Sequence, residues 1–241
     1  MSSSQSSRNP VANKLLAAIP KEEYDRLLPH LEFVFLPLKY VLHEADEPIK
    51  YAYFPLSGAV SVLNLMEDGE AIEAATVGNE GMVGVPLLLG TKQIPTQVLA
   101  QIPGDALRMK AEVFIREVYW GCPLHTLLLR YTQTLMNQFA QTAACNRLHS
   151  VEERCCRWLL MTQDRVNSDD FLLTQEFLSI MLGVRRASVS VVAAVLQQAG
   201  FIRYHRGKIT ILNREGLESA SCECYQVVKE EFERLLGTPS G

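Results

Sequence analysis

Arg185, Arg186, Ser188 and Ser190 crowd the start of one short segment, and that grouping is the chain's clearest chemical signal. An arginine fork pairs with the O6 and N7 edge of guanine, and hydroxyls hold phosphate oxygens. Such a cluster at a helix start therefore suits a DNA groove. Arg206 and Lys208 flank Gly207 at what reads as a hairpin tip, where two cations can grip a phosphate backbone. Thr174 and Gln175 open the preceding segment and complete the candidate DNA contacts. Residues 171–212 hold five of the chain's 23 Lys and Arg but one of its 27 Asp and Glu, on a protein of net charge −4. A basic face on an acidic chain fits groove recognition better than general polyanion binding.

Two helices and a hairpin must position these groups. Thr174 can cap backbone N–H groups, and Phe177, Leu178, Met181 and Leu182 recur at one-turn spacing on one face. Gly183 permits the sharp turn that follows. In the next helix Val189, Val192, Ala193 and Leu196 face inward, leaving the arginines and serines outward. After Gly200, two short apolar runs bracket Arg206-Gly207, so the unit reads as a winged helix-turn-helix.

The preceding region differs in character. At 241 residues and 48% hydrophobic content the chain has room for about two ordinary domains. Its longest apolar stretch, residues 82–90, is broken by Pro86 and falls short of the ~20 residues of a membrane span. Residues 1–20 read as a flexible polar tail without a signal peptide, so a cytoplasmic protein with reduced thiols is expected. From 21 to 120, short strands alternate with Pro, Gly and Asp turns, Asp68-Gly69 among them, which predicts a small β-barrel or β-roll. Residues 121–148 form one long helix, in which Leu124, Leu128, Tyr131, Leu135, Gln138 and Thr142 fall at heptad-like spacing and predict a homodimer seam, the alternative being a helix buried against its own barrel alone. Ser150 and Glu153 form a capping box that starts another helix. The DNA-binding unit spans 149–216, and 217–241 form a C-terminal helix and tail.

Residues 77–84 (VGNEGMVG), 151–154 (VEER), 173–176 (LTQE) and 182–186 (LGVRR), in this order, resemble the CRP/FNR superfamily of bacterial transcription regulators. Residues 206–212, 216–218 (GLE) and 222–225 (CECY) resemble one branch of it. The resemblance covers about residues 20–215. It implies an α+β fold: a double-stranded, jelly-roll-like β-roll as sensor, a long dimerisation helix and a C-terminal winged helix-turn-helix. It also implies a homodimer on double-stranded DNA, a small-molecule effector, contact with RNA polymerase, and Arg186 as the central base reader.

The effector is a separate matter. Cyclic-nucleotide-binding members carry Gly-Glu-Leu and an Arg beside Ser or Thr, because a buried phosphate needs a cation. Here Gly84 is followed by Val85, and Lys92 is the nearest cation to Thr96, where the Arg would fall. Phe139 replaces a polar residue of the long helix. Gly84, Val85, Lys92, Thr96 and Phe139 thus mark a possible effector pocket that does not suit cAMP. An oxygen-sensing iron–sulfur cluster is not expected either, since the first cysteine is Cys122. Cys222 and Cys224 supply two ligands, too few for zinc unless His205 or a second subunit contributes, so no metal or cofactor is expected. No Gly-x-Ser-x-Gly, Gly-rich Lys loop or His-x-x-x-His pair is present, so an enzyme is not expected. Two alternatives stay open: a constitutive DNA-binding dimer with a degenerate sensor, and a thiol- or metal-responsive regulator.

Overall fold

Period-two alternation and tight turns build the N-terminal half. The computed structural model describes residues 12–166 and 168–237. Helices α1 (Lys14–Ala17) and α2 (Lys21–Leu27) lead into strands β1 (Glu32–Leu36), β2 (Val41–His43), β3 (Tyr51–Pro55), β4 (Ala59–Leu65) and β5 (Ala71–Val77). A short helix α3 (Val85–Leu88) precedes β6 (Thr96–Ile102) and β7 (Gly104–Lys110). The strands form two antiparallel sheets, β2-β6-β4-β5 and β1-β7-β3, joined where Pro103 turns β6 into β7. Asp68-Gly69 makes the β4–β5 turn: Gly69 is left-handed (φ 85°), and the Asp68 carboxylate accepts from Glu70 N at 3.0 Å. Phe54, Val60, Ala100 and Met109 share the roll's core.

The expected tail is not all tail. Residues 1–11 lie outside the described residues, but α1 buries Leu15 and Leu16 in the roll's core. Asn13 caps it, accepting from Leu16 N while its amide donates to Pro55 O and Gly81 O, both at 2.9 Å. Two apolar residues were too short a period to be read as an element.

Helix α4 (Ala111–Glu117) leads into α5 (Pro123–Leu148), which starts as Pro at N1 allows. The predicted dimer seam proves to be the helix's inner face. Leu124, Leu128, Tyr131, Leu135, Gln138 and Thr142 are all buried within the single chain. The Tyr131 hydroxyl donates to Met82 O at 3.1 Å, and the same side chain leaves no room at Gly81, whose Cβ would sit 2.3 Å from that hydroxyl and 2.6 Å from the ring. Gln138 donates to Thr76 O at 3.3 Å. Heptad-like spacing marks any buried helical stripe; here the roll covers it. The outer face carries its own heptad spacing at Leu129, Gln133, Met136, Ala140 and Ala143, all exposed.

Helix α6 (Val151–Val166) begins at the predicted capping box: Ser150 N donates to Glu153 at 2.7 Å, and Glu153 N to Ser150 Oγ at 3.3 Å. After it come β8 (Asp170–Leu172), α7 (Gln175–Leu182), α8 (Arg186–Gln198), β9 (Ile202–His205) and β10 (Lys208–Ile211). The wing is a three-stranded sheet, β8-β10-β9, rather than a bare hairpin. Helix α9 (Arg214–Ala220) follows, and α10 (Cys224–Leu236) folds back along α5, where Asn137 donates to Glu231 at 2.8 Å. Among the described residues no single helix is long and apolar enough to cross a membrane.

Candidate nucleic-acid interface

The local sequence shapes the reading unit. Thr174 caps α7 by accepting from Phe177 N at 3.1 Å, and Gly183 ends it in the left-handed conformation (φ 60°). Helices α7 and α8 meet at 105°, within the range of helix-turn-helix pairs. Phe177, Leu178, Met181 and Leu182 pack against Val189, Val192 and Leu196, as the spacing requires. Each such burial contributes about 1.5–3 kcal/mol.

That packing turns the first turn of α8 outward. Arg185 is its N-cap and Arg186 its first residue; both are exposed, with no hydrogen bond or ion pair to their side chains among the described residues. Two unneutralised guanidinium groups beside a helix N-terminus make a strongly cationic edge. Ser188 is half-buried. The Ser190 hydroxyl lies 2.9 Å from Gln175 Oε1 and 3.2 Å from Arg186 O. Its one proton is used inside the chain, so Ser190 and Gln175 brace the two helices together, and a phosphate contact from Ser190 is not what this arrangement offers. Ala187, Val191 and Ala194 complete the exposed face. Val191 and Ala194 carry no polar group to mark them as contacts in the sequence, although both sit off the buried stripe of α8.

The wing tip is a two-residue loop in which both Arg206 (φ 48°) and Gly207 (φ 78°) are left-handed, as a type I′ turn requires. Arg206 is exposed and unpaired among the described residues. Lys208, expected to hold backbone, instead pairs with Asp170 at 3.0 Å, and Thr210 donates to the same carboxylate at 2.6 Å. These contacts hold the Asp170 carboxyl below its ordinary range. The strand β8 that brings Asp170 there has only three residues, too few for a sequence alternation to mark it.

The reader is docked on the roll. Trp158 of α6 donates from its indole N–H to Glu73 of β5 at 2.9 Å, and the Ser61 and Thr76 hydroxyls donate to the same carboxylate at 2.6 and 2.8 Å. Burial pushes the Glu73 carboxyl above its ordinary value, against these donors and the nearby Arg165. Arg165 pairs with Glu80 of the roll at 2.8 Å, and within the reader Arg154 of α6 donates to Leu182 O of α7. Ile72 of the roll lies where a Cβ on Gly183 would be, at 2.5 Å. An open groove of about 710 Å³, lined by Met66, Glu70, Ile72, Ile180, Val184 and Arg185, separates the β4–β5 turn from the start of α8.

The residues predicted for an effector pocket divide. Val85 is buried in the roll's core, and Phe139 of α5 packs against that core, partly buried. Gly84 (φ 109°) starts α3. Thr96 keeps a buried hydroxyl without a hydrogen-bond partner, and Lys92 stands exposed on a loop. None of the five lines the cavity of about 290 Å³ at the domain junction, which is bounded by Lys14, Glu80, Asp164, Arg165, Lys229 and Phe232, among others.

Comparisons agree with this division. The model of the cyclic nucleotide-binding domain matches residues 33–118, and that of the Crp-like helix-turn-helix domain matches residues 153–220. Curated proteins gave no sequence match. Among solved structures, a protein assigned to the crp/fnr family from Eubacterium rectale superposes with TM-score 0.67 at 17% identity, covering 86% of this chain and 96% of that one. FixK2 from Bradyrhizobium japonicum gives 0.67 at 18%, covering 80% and 98%. A CRP-family transcriptional regulator from Thermus thermophilus gives 0.66 at 20%, covering 78% and 96%.

Proposed function

The chain belongs to the CRP/FNR superfamily of transcription regulators, and on that premise we propose that it acts as a homodimer on a two-fold symmetric DNA site. The observation that carries this reading is the pair of free guanidinium groups, Arg185 and Arg186, projecting from the exposed first turn of α8. In the groove, Arg186 reads guanine, Arg185 and Ser188 reach phosphates or flanking bases, and Ala187 and Val191 offer apolar surface to thymine methyl groups. Thr174 and Arg206 hold backbone on either side. The dimer forms through the outer face of α5, where Leu129, Met136, Ala140 and Ala143 supply a small-residue heptad seam. Dimer symmetry sets the two α8 helices on half-sites about one helical turn (~34 Å) apart.

The controlling signal is something other than cAMP, because a buried valine of the roll and a partly buried phenylalanine of α5 stand where the cassette would place polar groups. The same packing also favours a second reading, a constitutive DNA binder whose sensor no longer takes a ligand.

Titrating an operator and a scrambled duplex at several salt concentrations tests the DNA reading. Arg186→Ala should cost about 1–3 kcal/mol on the operator and relax base preference at one symmetric position. Arg206→Ala should weaken both duplexes alike and lower the salt slope by about one ion per subunit. Wild-type behaviour of Arg186→Ala on both duplexes would remove α8 as the reader.

A further inference from the structure

Four soft ligands meet at the hinge between the two domains. Cys145 lies in the last turn of α5, and His149, one turn on, is that helix's C-cap. Cys222 and Cys224 lie where α9 gives way to α10. The three sulfurs and a ring nitrogen all lie within 4.8 Å of one another, and the three cysteines are buried free thiols. Cys145 Sγ is 3.5 Å from Cys222 Sγ, and Cys224 Sγ is 3.5 Å from His149 Nδ1. A zinc tetrahedron with Zn–S ~2.3 Å and Zn–N ~2.0–2.1 Å has edges of roughly 3.5–3.8 Å. Two of the ligand pairs already meet that spacing, and the widest must close by about 1 Å.

The surroundings are those a metal centre needs. His149 presents its other nitrogen, Nε2, to the Glu223 carboxylate at 3.2 Å, the carboxylate–histidine arrangement that orients a ligating imidazole. Gln141 donates to Cys224 Sγ at 3.0 Å. Arg154 and Arg157 of α6 are each only 7% exposed and lie within electrostatic reach of the cysteines. Arg157 Nε and Nη1 and Arg154 Nε have no hydrogen-bond partner. Buried guanidinium groups without an anion are costly. Three thiolates, a neutral imidazole and Zn²⁺ carry a net charge of about −1, which supplies the missing counter-charge.

We propose that Cys145, His149, Cys222 and Cys224 form a closed tetrahedral zinc site that clasps α10 to the end of α5. The sulfur-rich donor set selects zinc over harder cations, and four protein ligands leave no open position for catalysis. The third and fourth ligands come from α5, not from His205 or a second subunit. The clasp joins the C-terminal helix to the His149–Ser150 hinge, so zinc fixes the angle at which the reader leaves the long helix.

The test uses full-length protein purified without chelator. Elemental analysis should find one zinc per chain, and Cys145→Ser and Cys224→Ser should each lose it, while Cys122→Ser, at the far end of α5, should keep it. Because those serines replace buried groups, two further measurements guard the result. Wild-type apoprotein titrated with Co²⁺ should develop the intense visible bands of a tetrahedral thiolate site. Glu223→Gln, altering an exposed carboxylate, should leave the fold intact and weaken zinc affinity about 10–100-fold. Substoichiometric zinc together with no cobalt spectrum would overturn the proposal, as would a Cys145–Cys222 disulfide in the freshly purified protein.

Discussion

Met136→Glu separates the two faces of the long helix. Met136 is 64% exposed in the single chain and sits at the middle of the outer heptad, so its loss should leave the protomer's melting temperature within about 1–2 °C of wild type. Burying a whole Met side chain contributes about 1.5–3 kcal/mol, so covering the exposed two-thirds contributes roughly 1–2. Two-fold symmetry doubles this to about 2–4 kcal/mol, and the two introduced carboxylates face each other across the axis, adding desolvation and repulsion. Dimer dissociation should therefore rise by at least ~30-fold and up to ~1,000-fold. Leu128, by contrast, is fully buried against the roll. Leu128→Ala should cost about 2–5 kcal/mol of fold stability, read as a lowered melting temperature, without a specific effect on association. Sedimentation velocity over a concentration series, with a thermal melt of each variant, distinguishes these outcomes. A Met136→Glu variant that stays a tight dimer while Leu128→Ala dissociates would refute the assignment and return the interface to the inner face.

Two further outcomes concern the sensor. cAMP at ~1 mM should give no saturable heat by calorimetry, and micromolar binding would show that the roll finds a phosphate partner elsewhere, with Lys92 the first residue to substitute. Glu73, buried and held above its ordinary value of 4.5, contributes stability that is fully present below that value and lost as pH rises through its folded value. Glu73→Gln should therefore gain on wild type in melting temperature from pH ~4.5 to ~8, and a difference that stays flat across this range would contradict the buried-acid account.

The reading unit was legible because each of its elements carries a local signal. Thr174 caps, Gly183 turns, and the buried set Val189, Val192, Ala193 and Leu196 follows the helical period. The β-roll showed itself through alternation and Asp68-Gly69. What escaped depends on contacts distant in sequence. The spacing of Leu124 to Thr142 announces a buried stripe but not which surface buries it. Lys208 looked free until β8 placed Asp170 beside it. Ser190 looks like a phosphate ligand in the sequence, but its hydroxyl donates to Gln175 Oε1. Cys145 and His149 are more than seventy residues from Cys222 and Cys224, and only the return of α10 along α5 brings them together.

Selection from a random duplex library tests the central claim most directly. Wild-type protein, at a fixed salt concentration near physiological, should enrich a two-fold symmetric sequence with a guanine at equivalent positions of two half-sites about one helical turn apart. The same selection with Arg186→Ala should lose the preference at those positions alone. Enrichment of a single asymmetric half-site, or no enrichment above the input library, would contradict a dimeric reader built on α8.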